Sequence, residues 1–432
     1  MNAYVRFVWK RWFSSKRNIV LLGLLVAIEI VSLQMMSGMD QFTDPVPMSD
    51  PEAVMIRPLK RKEQFSMLSA EKKDEAYELI AQSEKDLEFL QNNLEKADLA
   101  KQHKDWPAYL QESIVNFLML ARLEEISEAT SFHEQDFIHE EQLEKLYEKY
   151  DVVDLAKYRS IANLPMGHSM YPVYEKYVRY FDYLEQRQLE PASMYDVSSG
   201  TVFIQLARSI LPCAAVVLVG FLFWQTKKDR KAQKTLLTIP HFKNRFVAQE
   251  SLARISMAGF CLLVPAGIMS IGLGIAKGWT SWNTPVFVFG PGLRSFAVPY
   301  EQITNGMSMV PIGISTLNGT TYVEPAMELM PCWQVCVLVL LLGALFVSFL
   351  VQYEMFLEKV ANASFLSTVL YFVSAGLLLV LPGGWWDPLR YADPVAVLCG
   401  NAGVSYLSGL CVLGVYTLVL FLLNGLLIRK HA

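Results

Sequence analysis

Two ionisable residues stand inside long apolar runs, Glu29 in the run from 18 to 36 and Arg208 in the run from 202 to 224. A charge in hydrocarbon surroundings is costly, which makes each a functional candidate by default. Counted from the ends nearest the polar stretch between the runs, both lie roughly 10 Å deep at 1.5 Å per residue. Matched depth is what a Glu29–Arg208 ion pair needs, and pairing would offset much of the cost of burying either charge alone. Separate snorkelling of the two side chains into an outer vestibule satisfies the same spacing.

Other reactive residues carry weaker signals. Six cysteines occur, at 213, 261, 332, 336, 399 and 411, all in or beside apolar runs, so no disulfide framework is implied. Cys332 and Cys336 share a helix face, but no His or further Cys is near in sequence, and they read as small apolar filler. His133, Glu134, Asp136, His139 and Glu140 could ligate a metal, yet His-x5-His is a poor ligand spacing on a helix, and a solvated acidic loop accounts for them. No Gly-x4-Gly-Lys-Ser/Thr loop occurs, so the chain lacks the phosphate cradle of an ATPase. No nucleophile–base constellation supports an enzyme.

The elements that must hold these residues are apolar helices. Of 432 residues 53% are hydrophobic and only 19% charged, which excludes an ordinary soluble protein and makes a bilayer the expected solvent. Crossing about 30 Å of hydrocarbon takes roughly 20 apolar residues. Six segments qualify: 18–36, 202–224, 252–276, 333–352, 362–382 and 405–428. The first reads as an uncleaved anchor, because no small-x-small cleavage site follows it.

Charge gives the direction. Arg6, Lys10, Arg11, Lys16 and Arg17 precede the first run, a dense basic cluster from Lys227 to Arg254 follows the second, and Arg429 and Lys430 follow the last. Positively charged flanks stay inside, so with six spans both termini are cytoplasmic, and the protein is expected to be a multi-pass protein of the cell membrane. Segment 37–201 is then outside, consistent with 18 basic against 32 acidic residues between 37 and 200. The expected fold is an all-α membrane protein of six transmembrane helices with a helical extracytoplasmic domain.

That domain has leucines at 79, 87, 90 and 94 among Glu and Lys, no Gly from 39 to 166, and an aromatic helix with Tyr171, Tyr174, Tyr177, Tyr180, Phe181 and Tyr183. The tyrosines either face a ligand, or pack on the neighbouring helices or lie at the membrane interface. Residues 1–17 place Val5, Val8, Trp9, Trp12 and Phe13 on one stripe, as in a cytoplasmic elbow helix lying in the headgroup plane. In the outer loop 277–332, Asn318-Gly319 between Thr- and Val-bearing flanks predicts a β-hairpin. A short cytoplasmic loop, 353–361, separates the fourth and fifth spans, and 429–432 form a cytoplasmic tail.

Two further segments could carry a mechanism. In the cytoplasmic loop 225–251, Leu236, Leu237 and Ile239 before Pro240 form a short amphipathic helix stopped by proline, suited to a groove on a partner. In the outer segment 383–404, Trp385, Trp386, Asp387, Pro388 and Tyr391 suit either a broken structure dipping back toward the membrane or an ordinary loop with an aromatic belt.

With these residues together, the chain resembles the permease subunits of type-2 ABC transporters, particularly bacterial members with a large outer domain between the first two spans. In sequence the resemblance rests on Glu190-Pro191 leading to Phe203 and Leu211-Pro212, on Leu236-Leu237-Thr238-Ile239-Pro240 followed by Arg245, and on Pro388, Tyr391, Pro394 and Gly400. It implies that Lys234 to Pro240 contact the ATPase, although the Gly-Thr that often precedes this motif is absent here. It also implies that 383–404 caps the translocation path as outer re-entrant helices. The expected partners are an ABC ATPase subunit that brings ATP and Mg, a second permease copy or sister permease, and the lipid bilayer, with no nucleic acid. No cofactor is expected in this chain. The implied function is export of a peptide, lipid or drug; the competing expectation is a membrane receptor or immunity protein whose outer domain binds a ligand without transport.

Overall fold

The computed structural model describes residues 3–39, 89–90, 92–125, 145–146, 148–150, 171–191, 197–209, 211–226, 240–296, 316–317, 320–321, 327–361, 364–380, 383–398 and 403–431. It is mostly helical. The helices are α1 (Ala3–Phe13), α2 (Lys16–Met39), α3 (Trp106–Glu125), α4 (Tyr171–Arg187), α5 (Thr201–Ser209), α6 (Leu211–Thr226), α7 (Pro240–Lys277), α8 (Gly290–Arg294), α9 (Cys332–Ala361), α10 (Ser364–Val380), α11 (Pro394–Leu398) and α12 (Tyr406–His431). The strands are β1 (Pro285–Phe289), β2 (Thr316–Leu317), β3 (Thr320–Thr321) and β4 (Met327–Pro331).

Among the described residues, three helical stretches are long and apolar enough to cross a membrane, Arg245–Lys277, Cys332–Ala361 and Tyr406–Ile428. The bent pair α1–α2 adds a fourth if it counts as one span. The expected six are therefore met only in part. Segment 362–382 holds the 17-residue α10, about 26 Å at 1.5 Å per residue. Segment 202–224 occurs as α5 and α6 on either side of residue 210, which lies outside the described residues.

Hydrogen bonds fix how the helices run. At one end of the bundle the Gly200 amide donates to Ser281 Oγ at 3.0 Å, the Lys277 ammonium to the Val197 carbonyl at 3.0 Å, and the Cys332 amide to the Thr284 carbonyl at 2.9 Å. At the other end Gln352 Nε2 donates to Ser251 Oγ at 2.7 Å, so α9 runs antiparallel to α7. Tyr406 reaches the Leu338 carbonyl and Lys359 the Asn424 carbonyl, so α12 runs parallel to α9. The chain must return between them, and α10 provides that passage. Tyr371 on α10 anchors it by donating to the Val216 carbonyl of α6 at 3.1 Å.

Central α9 packs on α6, α7, α10 and α12. The outward faces of the bundle stay apolar, with Val415, Leu418, Val419, Leu422 and Leu426 exposed on α12 and Phe365, Leu366, Val373 and Leu377 exposed on α10. Helices apolar on both buried and exposed faces belong in lipid.

The elbow matches its sequence stripe. Val5 and Trp12 are buried, whereas Arg6, Lys10 and Arg11 are exposed. Its partner is α7 as well as any membrane surface: the Trp9 and Phe13 rings meet Phe260 at 5.1 and 5.4 Å, and Trp9 Nε1 donates to Ser256 Oγ at 3.1 Å. Buried Asn18 donates to the Trp12 carbonyl at 2.8 Å, satisfying a terminal acceptor of α1 where the chain bends by 75° into α2.

Beyond the bundle, the helical residues 89–90 and 92–102, α3 and α4 enclose a second core around Leu90, Leu94, Leu110, Ile114, Phe117 and Phe181. Among the tyrosines expected either to face a ligand or to pack, Tyr180 is buried in this core, and Tyr183 lies under the Arg187 guanidinium at 3.7 Å. The side chains of Tyr171, Tyr174 and Tyr177 lie outside the described residues. The expected hairpin is present, with Thr316 paired to Thr321 and Leu317 to Thr320. A second pairing was not legible: β1 and β4 are antiparallel from Pro285↔Pro331 to Phe289↔Met327, and β4 leads straight into α9.

Candidate functional site

A cavity of about 110 Å³ opens between α2, α5, α7 and α9. Its walls are apolar, built from Phe203, Leu206, Ile255, Leu262, Val339 and their neighbours, and Glu29 is the ionisable side chain among the described lining residues. The cavity exists because small residues line part of it, including Ala207, Gly259, Ala266 and Ala344. A Cβ built on Gly259 would meet nothing within 4 Å.

Glu29 is 3% exposed, so it faces protein rather than lipid. Its Oε2 has no hydrogen-bond partner among the described residues. Arg208 follows the lining residue Ala207 on α5, but its side chain lies outside the described residues. The expected ion pair is thus neither made nor broken by the described geometry.

A second cluster sits where α1, α7, α9 and α12 converge. Arg254, 3% exposed, places Nε 2.5 Å from Glu250 Oε1, with Nη1 3.9 Å from Glu354 and Nη2 3.8 Å from Glu358. Tyr4 donates its hydroxyl to the other oxygen of Glu250, which ties the elbow to the cluster. One turn away, Asn424 Nδ2 donates to both the carbonyl and the Oε1 of Gln352 at 3.0 Å. Such a network holds helices in one register, because any slip strands a buried charge.

The helices that carry this cluster extend into segments expected as loops. Residues 353–361, expected as a loop, continue α9 through Ala361, and residues 240–250 of the expected loop 225–251 belong to α7. Sequence reading passed over Tyr4, Gln352, Glu354 and Asn424, although polar residues within or beside apolar runs are the signal that finds them.

Of the expected partner-contact residues, Lys234, Leu236, Leu237 and Ile239 lie outside the described residues. Pro240 is the first residue of α7, where its missing N–H costs nothing. The side chains of 133–140 are likewise outside the described residues, and among the described residues no group of His, Cys, Asp and Glu could hold a metal.

Residues 383–398 form a compact segment. Asp387 is buried, and its Oδ1 accepts from the Leu389 amide at 3.0 Å to start a 3-10 turn over Pro388–Tyr391. The Tyr391 hydroxyl donates to the Trp385 carbonyl at 2.5 Å and meets Ser408 Oγ at 3.0 Å. Burial raises that hydroxyl above its ordinary range, so it stays protonated as a donor. Trp385 and Trp386 are exposed at the same end as exposed Trp279 and Trp333. That is the arrangement of an aromatic belt at a membrane interface.

No family model, curated protein or solved structure matches this chain. What the fold defines directly is a helical protein with apolar helices fit for a membrane.

Proposed function

We propose that this chain is the membrane-spanning permease subunit of an ABC exporter, driven by a separate ATPase that docks on the segment Lys234, Leu236, Leu237, Ile239 and Pro240. In this reading six passes cross the cell membrane, both termini are cytoplasmic, and a second permease copy or sister permease completes the pathway.

One observation carries the proposal. Helix α7 spans Pro240, the last residue of the docking segment, to Lys277 with Pro265 inside it, and on the way it supplies Ile255, Gly259, Leu262, Leu263 and Ala266 to the cavity wall. A push on the docking segment would travel along one helix to the cavity. The Arg254 cluster clamps the same end of α7 to α1 and α9, so the elbow, α7 and α9 would move as one piece. The cargo is amphipathic or membrane-borne: a peptide, lipid or drug.

Affinity purification from native membranes tests this. An ABC ATPase subunit should co-purify in fixed stoichiometry and be lost on Leu237→Asp or Ile239→Asp, with the permease itself still folded. Its repeated absence from the wild-type preparation would sink the reading in favour of a ligand-binding receptor.

A further inference from the structure

We infer that the Glu29 cavity is a binding site for the ammonium group of an amphiphilic amine. An apolar wall recognises an apolar body, and a single carboxylate within it recognises one positive charge. An ionised carboxylate buried without a partner is costly, and a cation seated against it offsets that cost through a charge-assisted hydrogen bond. Glu29 meets both conditions, being 3% exposed with Oε2 unpartnered among the described residues while it lines the cavity. A lipid anion or an acidic peptide would place like charge on Glu29 and is disfavoured by the same geometry.

The volume limits what enters. A cavity of about 110 Å³ is smaller than the ~150 Å³ engineered cavity that holds benzene. It takes an ammonium and a few carbons, with the rest of a larger molecule outside. Binding stands on the cavity alone; that the bound amine is cargo rests on the transporter reading.

The probe is n-butylammonium, with n-butanol as its uncharged counterpart, titrated against the purified full-length chain in nanodiscs by ligand-observed NMR, with empty nanodiscs subtracted. The wild type should bind the amine about tenfold or more tighter than the alcohol, the ratio expected of one charge-assisted contact. Glu29→Gln should bring that ratio to about one, while Glu29→Asp keeps part of it. Gly259→Val, whose side chain enters open space, should weaken both probes alike with Glu29 intact. The inference fails if the ratio survives Glu29→Gln. It fails equally if the wild type binds no amine, or binds it only after Arg208→Gln, since Arg208 would then be the resident partner of Glu29. An ATPase that co-purifies without the amine preference overturns this site and leaves the transporter reading standing. The amine preference without an ATPase does the reverse.

Discussion

Val286 and Phe287 are neighbours on one strand, yet they are buried in different cores, Val286 in that of the helix bundle and Phe287 in that of the second helical unit. The alternation continues with Val288 and Phe289. Successive side chains of a strand point to opposite faces, so β1 serves as the shared wall between two hydrophobic cores. Its partner β4 continues into α9, the helix around which the bundle packs.

Phe287→Ala should therefore act on the junction. Truncating a buried Phe costs about 3–5 kcal/mol, and here the loss falls between α4 and the bundle, where the Tyr180 and Phe287 rings lie 6.4 Å apart. The expected result is earlier proteolysis between α3 and α4 with little change in the bundle's own melting. Equal loss in both parts would show that the two cores unfold as one unit.

Arg254 is the residue whose loss should cost the bundle most. It is nearly inaccessible between Glu250, Glu354 and Glu358. Removing one partner of a buried pair typically costs 3–5 kcal/mol, about what leaving a charge uncompensated demands. Arg254→Gln should lower the melting temperature more than Glu250→Gln, and the double variant should cost less than the two changes added. With the exposed Cys411 replaced by Ser, a thiol-reactive dye reads the melting through Cys261, Cys332 and Cys336, which are free and buried.

How much was legible follows from which signals are local. The elbow stripe, the Asn318-Gly319 hairpin and the apolar runs at 252–276, 333–352 and 405–428 are periodicities or turn chemistry within one segment, and each has its counterpart in the fold. Strand β1 left no comparable trace, since Pro-Val-Phe-Val-Phe is buried on both faces and its alternation is between two apolar kinds. The Arg254 cluster was hidden for another reason. Hydropathy ends a span where charges begin, but Glu354 and Glu358 lie on a helix that continues, and their counter-charge comes from α7, a hundred residues earlier. Glu29 was legible as an anomaly, whereas its cavity was not, because the walls come from four helices.

Lys149 makes ion pairs that join residues 148–150 to α4, at 2.9 Å from Asp182 and 3.1 Å from Glu185. Partial burial alone would lower its ammonium, but hydrogen bonds from it to Tyr150, Asp182 and Glu185 outweigh that and hold it above the ordinary lysine value. A raised cationic group contributes stability below its unfolded value and loses it only as pH rises through the folded one. From pH 6 to pH 9, Lys149→Met should thus show the same small destabilisation throughout, under about 1 kcal/mol as for exposed pairs. A destabilisation that vanished by pH 9 would contradict the raised ammonium.

Two glycines on apolar helices should respond to alanine with opposite signs. On α12 a Cβ at Gly409 would stand 2.7 Å from Tyr391 Cδ1 and 3.1 Å from Leu342 Cδ1. Tyr391 cannot withdraw easily, because its hydroxyl is held by the Trp385 carbonyl and Ser408. Overpacking of this kind costs about 1–3 kcal/mol, so Gly409→Ala should lower the melting temperature and loosen the 383–398 segment together. On α7 a Cβ at Gly259 meets open space, so Gly259→Ala should gain up to about 1 kcal/mol of helix propensity. Repeating Gly409→Ala with Tyr391→Leu separates the causes: if the clash with the ring is the reason, the cost of the added methyl shrinks in that background. An undiminished cost would place the strain on Leu342 and the α9–α12 contact instead.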